Sequence, residues 1–276
     1  MKILDGKALA NKLRRELKEK IALLDKKPGL AVVIVGEDPA SQIYVRNKIK
    51  ACAEVGILSY SYELPATATQ EQLNALLDEL AQSDNVHGIL LQLPLPNRLS
   101  AEQAAKHIPI EKDVDGFSTQ NLGLLMQGKH TMAACTPAGV MEILRSEGIC
   151  LKGKHAVVLG RSETVGKPMA MLLLNADATV TICHSKTKNL EDICQNADIL
   201  ISAVGIANFV KENMVKEGAI VIDIGINRDA SGKLCGDVDF DNVSKKCLMI
   251  TPVPGGVGPM TITMLMHNTY LAFIKE

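Results

Sequence analysis

Short apolar runs alternate with amphipathic helical stretches along almost the whole chain, and few folds accept that order. Leu30-Ala-Val-Val-Ile-Val-Gly36 is an unbroken apolar run closed by a glycine, the pattern of a strand buried on both faces. Asp38-Pro39 follows at once, with Asp38 as expected N-cap and Pro39 at the first helical position. In the first half, strands are expected near 30–36, 57–63 and 86–93, and helices near 6–25, 39–55, 70–82 and 100–107. Thr69-x-x-Gln72 and Ser100-x-x-Gln103 read as capping boxes. An irregular polar stretch then runs from Glu111 to His130, and Thr136-Pro137 opens a helix that ends at Gly148. Strand patterns restart at His155–Gly160 and recur near 179–184, 199–204, 219–225 and 248–251, before a last helix at about 258–275. Alternation of this kind predicts parallel sheets with helices on their faces, here in two α/β domains that join within 110–140.

Composition removes several function classes. Among 276 residues the formal net charge is -1, so there is no electrostatic case for nucleic acid or an acidic membrane surface. Aromatic residues make up 3% and Trp is absent, which also argues against base-stacking platforms. No apolar run approaches the roughly 20 residues of a spanning helix. The start, Met1-Lys-Ile-Leu-Asp-Gly6, has no signal-peptide core. Seven cysteines are scattered without a C-x-x-C pair, as expected of reduced thiols in a cytoplasmic protein. The histidines show no H-x-x-x-H spacing, and no metal site is assigned.

Within the helix at 39–55, Ser41, Tyr44, Val45, Lys48, Cys52 and Val55 share one stripe roughly 100° wide, while Arg46, Asn47, Lys50 and Glu54 lie opposite. Lys48 therefore points where Val45, Cys52 and Val55 point. An ammonium there is short of water, and a lysine that releases its proton beside a pocket is a candidate base. The other reading is a lysine that buries its stem and keeps its head wet. Gln92 places one amide inside the apolar run Gly88-Ile-Leu-Leu-Gln92-Leu-Pro-Leu-Pro96, and a buried amide needs partners: a lysine, a ligand or a loop. Lys112-Asp113-Val-Asp115-Gly-Phe117 sets two carboxylates in a loop. One suits the paired N–H groups of a flat heterocycle; the alternative is an Asx-turn. Thr251-Pro-Val-Pro-Gly-Gly-Val-Gly-Pro259 exposes backbone N–H groups ahead of a helix, either as a cradle or as a rigid hinge.

The second half carries a cofactor signal. Gly160-Arg-Ser-Glu-Thr-Val-Gly166 sits between a strand and a helix, where doubly wound folds bind phosphates, though the spacing is G-x-S-x-x-x-G rather than G-x-G-x-x-G. An NAD site expects a carboxylate about 20 residues further on. Thr181-Ile-Cys-His184-Ser185-Lys186-Thr187 offers hydroxyls and a cation instead, with Arg161 in the turn opposite, so NADP is expected over NAD.

Taken together these pieces resemble one family, the bifunctional methylenetetrahydrofolate dehydrogenase/methenyltetrahydrofolate cyclohydrolases. The resemblance rests on S-x-x-Y-V-x-x-K at 41–48, the Q-L-P-L-P run at 92–96, K-D-V-D-G-F at 112–117, C-T-P at 135–137, G-R-S-x-x-V-G-K-P at 160–168, C-H-S-K-T at 183–187 and P-G-G-V-G-P-M-T at 254–261. It implies two α/β domains with a cleft between them: residues 1–120 with the helix 258–276 for folate and catalysis, and a Rossmann-like NADP-binding domain over 135–254. By the same resemblance Lys48 is the catalytic lysine, Tyr44 the aromatic that stacks on folate, Gln92 the amide that tunes the lysine, and Asp115 the carboxylate on the pterin edge. Leu91, Leu93 and the loop Pro254, Gly255, Gly256, Val257 and Gly258 line the folate site. Gly160, Arg161 and Ser162 form the cofactor loop, Ser185 meets the 2′-phosphate, and Ile226 offers a backbone contact to the nicotinamide end. Glu163 departs from the Asn common among relatives. The resemblance also implies a folate substrate and a homodimer. Three rivals stand at this level: a dehydrogenase without hydrolase activity, a two-domain NADP oxidoreductase for another small substrate, and a non-catalytic NADP-binding sensor or assembly subunit.

Overall fold

The computed structural model describes residues 1–129, 132–229 and 231–275. In chain order the elements are β1 (Lys2–Ile3), α1 (Gly6–Ala22), β2 (Gly29–Val35), α2 (Pro39–Val55), β3 (Leu58–Leu64), α3 (Gln70–Gln82), β4 (Gly88–Leu91), α4 (Ala101–Ala105), α5 (Thr119–Met126) and α6 (Cys135–Ser146). There follow β5 (His155–Leu159), α7 (Gly166–Asn175), β6 (Thr179–Cys183), α8 (Leu190–Gln195), β7 (Ile199–Ser202), β8 (Ile220–Asp223), β9 (Asn227–Arg228), β10 (Leu234–Cys235), α9 (Phe240–Val243), β11 (Met249–Ile250) and α10 (Val257–Lys275). The chain divides into two compact units, Met1–Asn11 with Thr136–Thr261 and Lys12–Cys135 with Ile262–Glu276.

In the unit that contains α2, three parallel strands run in the order β3-β2-β4. All seven residues of the central β2 are buried. Side chains alternate across a strand, so Leu30, Val32 and Ile34 pack with Val45, Cys52 and Val55 of α2, whereas Ala31, Val33 and Val35 pack with Leu73, Leu77 and Leu80 of α3. Helices on both faces explain why this run is apolar throughout. The edge strand β3 has a wet face and reads as broken hydrophobicity instead.

Local chemistry sets the helix starts. The Asp38 carboxylate accepts the Ser41 N–H at 2.8 Å, with Pro39 as the first helical residue. Thr69 and Gln72 form the expected reciprocal capping box on α3. At α4 only half of the expected box exists. Ser100 Oγ accepts the Gln103 N–H, but the Ser100 N–H donates at 2.7 Å to Gln70 Oε1 from the neighbouring α3, a tertiary partner that outcompetes the local glutamine. The polar stretch 111–130 is not irregular throughout, because Ser118 accepts the Asn121 N–H and opens α5. A mid-helix glycine and a length of eight residues disguise that helix in the sequence; His130 lies outside the described residues. The Lys112 ammonium donates to Ala81 O and Ser83 O at 3.0 and 2.9 Å, a cation on the carbonyl end of α3.

The other unit holds six parallel strands in the order β1-β11-β8-β7-β5-β6. The chain leaves β5 to one side for β6 and returns to the other side for β7, which opens a crevice at the carboxyl ends of the strands. This is the Rossmann-like arrangement expected. Strand β1, only two residues long, is too short to leave a periodic signal; it pairs Lys2 with Met249 and Ile3 with Ile250, and so carries the first residues of the chain to this sheet. The small antiparallel pair β9/β10 was likewise outside the expected elements. Among the described residues no helix is long and apolar enough to cross a membrane.

Leu77 is fully buried on the α3 side of β2. Leu77→Ala is expected to lower unfolding stability by about 2–5 kcal/mol, read from chemical denaturation.

Candidate active site and cofactor turn

The ends of β2 and β4 determine what can meet in the smaller-sheet unit. Gln92 is the first residue beyond β4, and its backbone N–H still bonds Val33 O at 2.8 Å. Its side chain is thus carried to the carboxyl end of the sheet. Lys48, on the face of α2 turned to β2, reaches it: Lys48 Nζ donates to Gln92 Oε1 at 3.0 Å. Gln92 Nε2 in turn donates to Leu93 O at 2.6 Å, which fixes which end of the amide faces the lysine. Lys48 is half-buried above Cys52 and Val55, so its stem is packed while its head stays at the rim. Tyr44, one turn earlier, is 42% exposed; on the same stripe it stands beyond the core as an open aromatic face.

The two carboxylates of the 112–117 loop have separate jobs. Asp113 is buried and accepts the N–H groups of Gly116 and Phe117 at one oxygen, and those of Ser118 and Asn121 Nδ2 at the other, at 2.8–3.3 Å. It is the turn-forming residue. A single parallel bridge from Ile89 to Asp113 lays this loop along β4. Asn268 of α10 holds the same loop from behind, donating to Val114 O at 2.8 Å and to Ala133 O at 3.1 Å. Asp115 has no such backbone donors; its side-chain hydrogen-bond partner is the Cys135 thiol, and Lys48 lies within its electrostatic reach. Burial raises its carboxyl above the ordinary carboxylate range, while the Lys48 charge opposes that shift and Asp113 adds to it. Cys135 lies alongside, its thiol donating to Val114 O at 3.3 Å and pushed well above its usual range by burial and by Asp115. Lys48, Gln92 and Asp115 therefore form one group: a cation held by an amide, within reach of a carboxyl whose side-chain partner is the Cys135 thiol. Sequence reading missed Cys135 and Asn268 as supports. A carboxamide in the mostly apolar helix 257–275 was the available signal for Asn268.

Leu91 and Leu93 flank Gln92 and are half-buried. The loop Pro254, Gly255, Gly256, Val257 and Gly258 belongs to the other compact unit, beyond the end of β11. Pro254 is exposed, Gly256 and Val257 are buried, and Gly255 O accepts the Lys7 N–H at 2.8 Å.

The turn after β5 suits a dinucleotide. Gly160 has φ +114 and lies against Ala203 at the end of β7; a Cβ there would overlap Ala203 O, and one on Gly166 would overlap Gly160 O. Only glycines let the turn close this tightly on the start of α7. Ser162 Oγ accepts the N–H groups of Val165 and Gly166, both at 3.2 Å. Two helix-start donors are therefore already used, and the serine proton is left to donate outward. Arg161 is exposed beside it, and Ser185 and Lys186 are exposed beyond β6, where no carboxylate stands. The residues present fit a phosphorylated ribose. Glu163 is exposed and its charge is met by Lys167 one turn on, at 3.1 Å. Ile226, just past β8, is 51% exposed. Among the described residues no group of His, Cys, Asp and Glu is placed to hold a metal ion.

Two family models cover nearly all of the chain: the tetrahydrofolate dehydrogenase/cyclohydrolase catalytic domain matches residues 4–115, and the NAD(P)-binding domain of the same family matches residues 134–276. The chain belongs to the tetrahydrofolate dehydrogenase/cyclohydrolase family. The bifunctional protein FolD of Streptococcus thermophilus is 54% identical, over 99% of this chain and 98% of its own length. That of Campylobacter concisus is 56% identical over 99% and 97%. Among solved structures, the bifunctional FolD methylenetetrahydrofolate dehydrogenase/cyclohydrolase of Campylobacter jejuni superimposes with a TM-score of 0.98 at 51% identity, covering 100% of both chains. The Trypanosoma brucei enzyme, solved with NADP cofactor and an inhibitor, gives 0.94 at 42% identity over 99% and 97%. Lys48, Gln92 and Asp115 lie in or at the edge of the family's catalytic domain, and Gly160, Arg161, Ser162, Ser185 and Ile226 in its NAD(P)-binding domain.

The two carboxylates are separable by experiment. Asp113→Ala strips four donors of their acceptor and is expected to cost on the order of 3 kcal/mol of stability by chemical denaturation. Asp115→Asn is expected to change stability by less than about 1 kcal/mol while raising the KM for the folate about tenfold or more.

Proposed function

We propose that this chain oxidises 5,10-methylenetetrahydrofolate to 5,10-methenyltetrahydrofolate with NADP and then hydrolyses the product to 10-formyltetrahydrofolate. The observation that carries the reading is the Lys48–Gln92 pair with Asp115 in its electrostatic reach, in a chain that matches bifunctional relatives from end to end. Bound NADP supplies the hydride acceptor for the first step. Everything else falls to side chains.

Asp115 accepts the paired N–H groups of the pterin edge, and its partly dry setting sharpens that preference, because water competes poorly there. Tyr44 offers its face to the flat ring system. Gln92 aims the lysine through its carbonyl oxygen, since its amide nitrogen is occupied by Leu93 O. Lys48 moves the proton when water adds to the methenyl carbon and the ring opens toward the formyl product. Leu91, Leu93 and the Pro254–Gly258 loop are assigned to folate contacts, and Gly160, Arg161, Ser162, Ser185 and Ile226 to the cofactor. Folate chemistry is assigned to residues 1–120 with 258–276, and cofactor binding to 135–254. The absence of an acid after β6, with Arg161, Ser185 and Lys186 exposed there, supports the 2′-phosphate of NADP over the free ribose of NAD. We further propose a homodimer, as the family resemblance implies, and a cytoplasmic location, in keeping with seven free thiols.

Lys48→Met keeps the stem and removes the amine. It is expected to abolish hydrolysis of methenyltetrahydrofolate with little change in thermal stability; full hydrolysis by the variant would refute the role given to Lys48. In parallel assays of folate oxidation, NADP is expected to give a kcat/KM at least about tenfold above that with NAD, the worth of one charge-assisted contact.

A further inference from the structure

Two acids in the six-stranded unit have no part in the scheme above, yet both are almost completely buried: Asp223 at 3% exposure and Asp237 at 0%. Neither forms an ion pair among the described residues. Asp237 instead collects five donors. One oxygen accepts the Val204 N–H at 2.7 Å, Ser202 Oγ at 3.1 Å and the Gly205 N–H at 3.3 Å; the other accepts Asn227 Nδ2 at 2.9 Å and the Ile206 N–H at 3.1 Å. Asp223 accepts the N–H groups of Gly225, Asp237 and Val238, each at 2.9 Å. Ser202, Val204, Gly205, Ile206 and Gly225 supply donors from the carboxyl ends of β7 and β8, beside the crevice where such sheets bind cofactors, while Asn227 lies in β9 and the Asp237 and Val238 N–H groups follow β10.

Space for the pair is kept by two glycines. A Cβ on Gly225 would overlap the Asp237 carboxylate, and one on Gly236 would overlap that of Asp223. Burial pushes the Asp223 carboxyl up to about 6, with the Asp237 charge adding to the effect and the three backbone donors opposing it. Keeping two like charges dry is costly, and an apolar plug would fill the same volume without that cost. What an apolar plug lacks is the ability to dictate where eight donors point.

We propose that Asp237, seated on Asp223, is a positioning residue for cofactor binding: it sets the backbone of Val204–Ile206 and of Gly225–Ile226 as the ledge for the nicotinamide end. The assignment rests on the NADP reading above. It separates this end of the site from the Gly160–Ser162 turn and Ser185, which serve the phosphates and the adenosine end.

The test uses ligands that fill both ends or only one. Wild type and Asp237→Asn are titrated calorimetrically with NADP and with 2′,5′-ADP, which lacks the nicotinamide. Amide hydrogen exchange is read on both proteins without any cofactor. The variant turns an amide N–H2 toward groups that are themselves donors. NADP affinity is expected to fall about tenfold or more, while 2′,5′-ADP affinity stays within about twofold. Exchange at Val204, Gly205 and Ile206 is expected to rise by about tenfold with no cofactor present. Hydrolysis of methenyltetrahydrofolate, which depends on Lys48, serves as the folding control and stays near the wild-type rate. Equal losses for the two ligands, or NADP affinity unchanged in a folded variant, would overturn the proposal. If Asp237→Asn does not fold, Asn227→Ala removes a single donor and decides the matter. A loss of about threefold confined to NADP supports the ledge, and an equal change for both ligands overturns it. A wild-type chain that bound neither ligand would overturn the NADP reading itself.

Discussion

A parallel strand buried on both faces can present chemistry only at its ends. That constraint governs this protein. Strand β2 spends every side chain on two apolar cores, so polar function is displaced to the residues just past the strands and to the helices that pack on them. Gln92 follows β4, Asp223 ends β8, Gly160 follows β5, and Lys48 looks over the rim from α2. Each sits where the backbone ladder stops and the chain must turn.

The groups at those ends differ in how they are stabilised. Asp113 and Asp237 are enclosed and surrounded by N–H donors, so their role is to shape backbone. Asp115 lacks such backbone donors, has the Cys135 thiol as its partner, and keeps acceptor capacity for something from outside. Lys48 is only half-buried, with one amide partner. A buried charge saturated by local donors is architecture, and one left partly unsatisfied at a rim is available for chemistry. This difference separates Asp113 from Asp115, two residues apart, although composition alone treats them alike.

Much of this was legible in the sequence, and the reasons are local. The apolar run at 30–35, the Asp38-Pro39 start and the Thr69–Gln72 box each encode their structure within a few residues, and each formed as expected. The shared stripe of α2 placed Lys48 toward the core side because helical periodicity is fixed by backbone geometry. Misses came where the deciding partner was distant or the element too small. Gln70 took the bond that Gln103 was expected to make with Ser100. Helix α5 was hidden by its central glycine and its length of eight residues, and β1 by its length of two residues.

What the sequence determined alone was the order of strands and helices, the helix starts, the glycine turn after β5 and the family, all of which follow from short-range sterics and from motifs in fixed order. Tertiary structure alone decided which carboxylate is saturated by backbone donors and which is not, that Lys48 meets Gln92 forty-four positions away, and that Asp237 stands against Asp223. Those outcomes depend on which groups lose their water together, and a linear chain does not specify that until its strands have chosen neighbours.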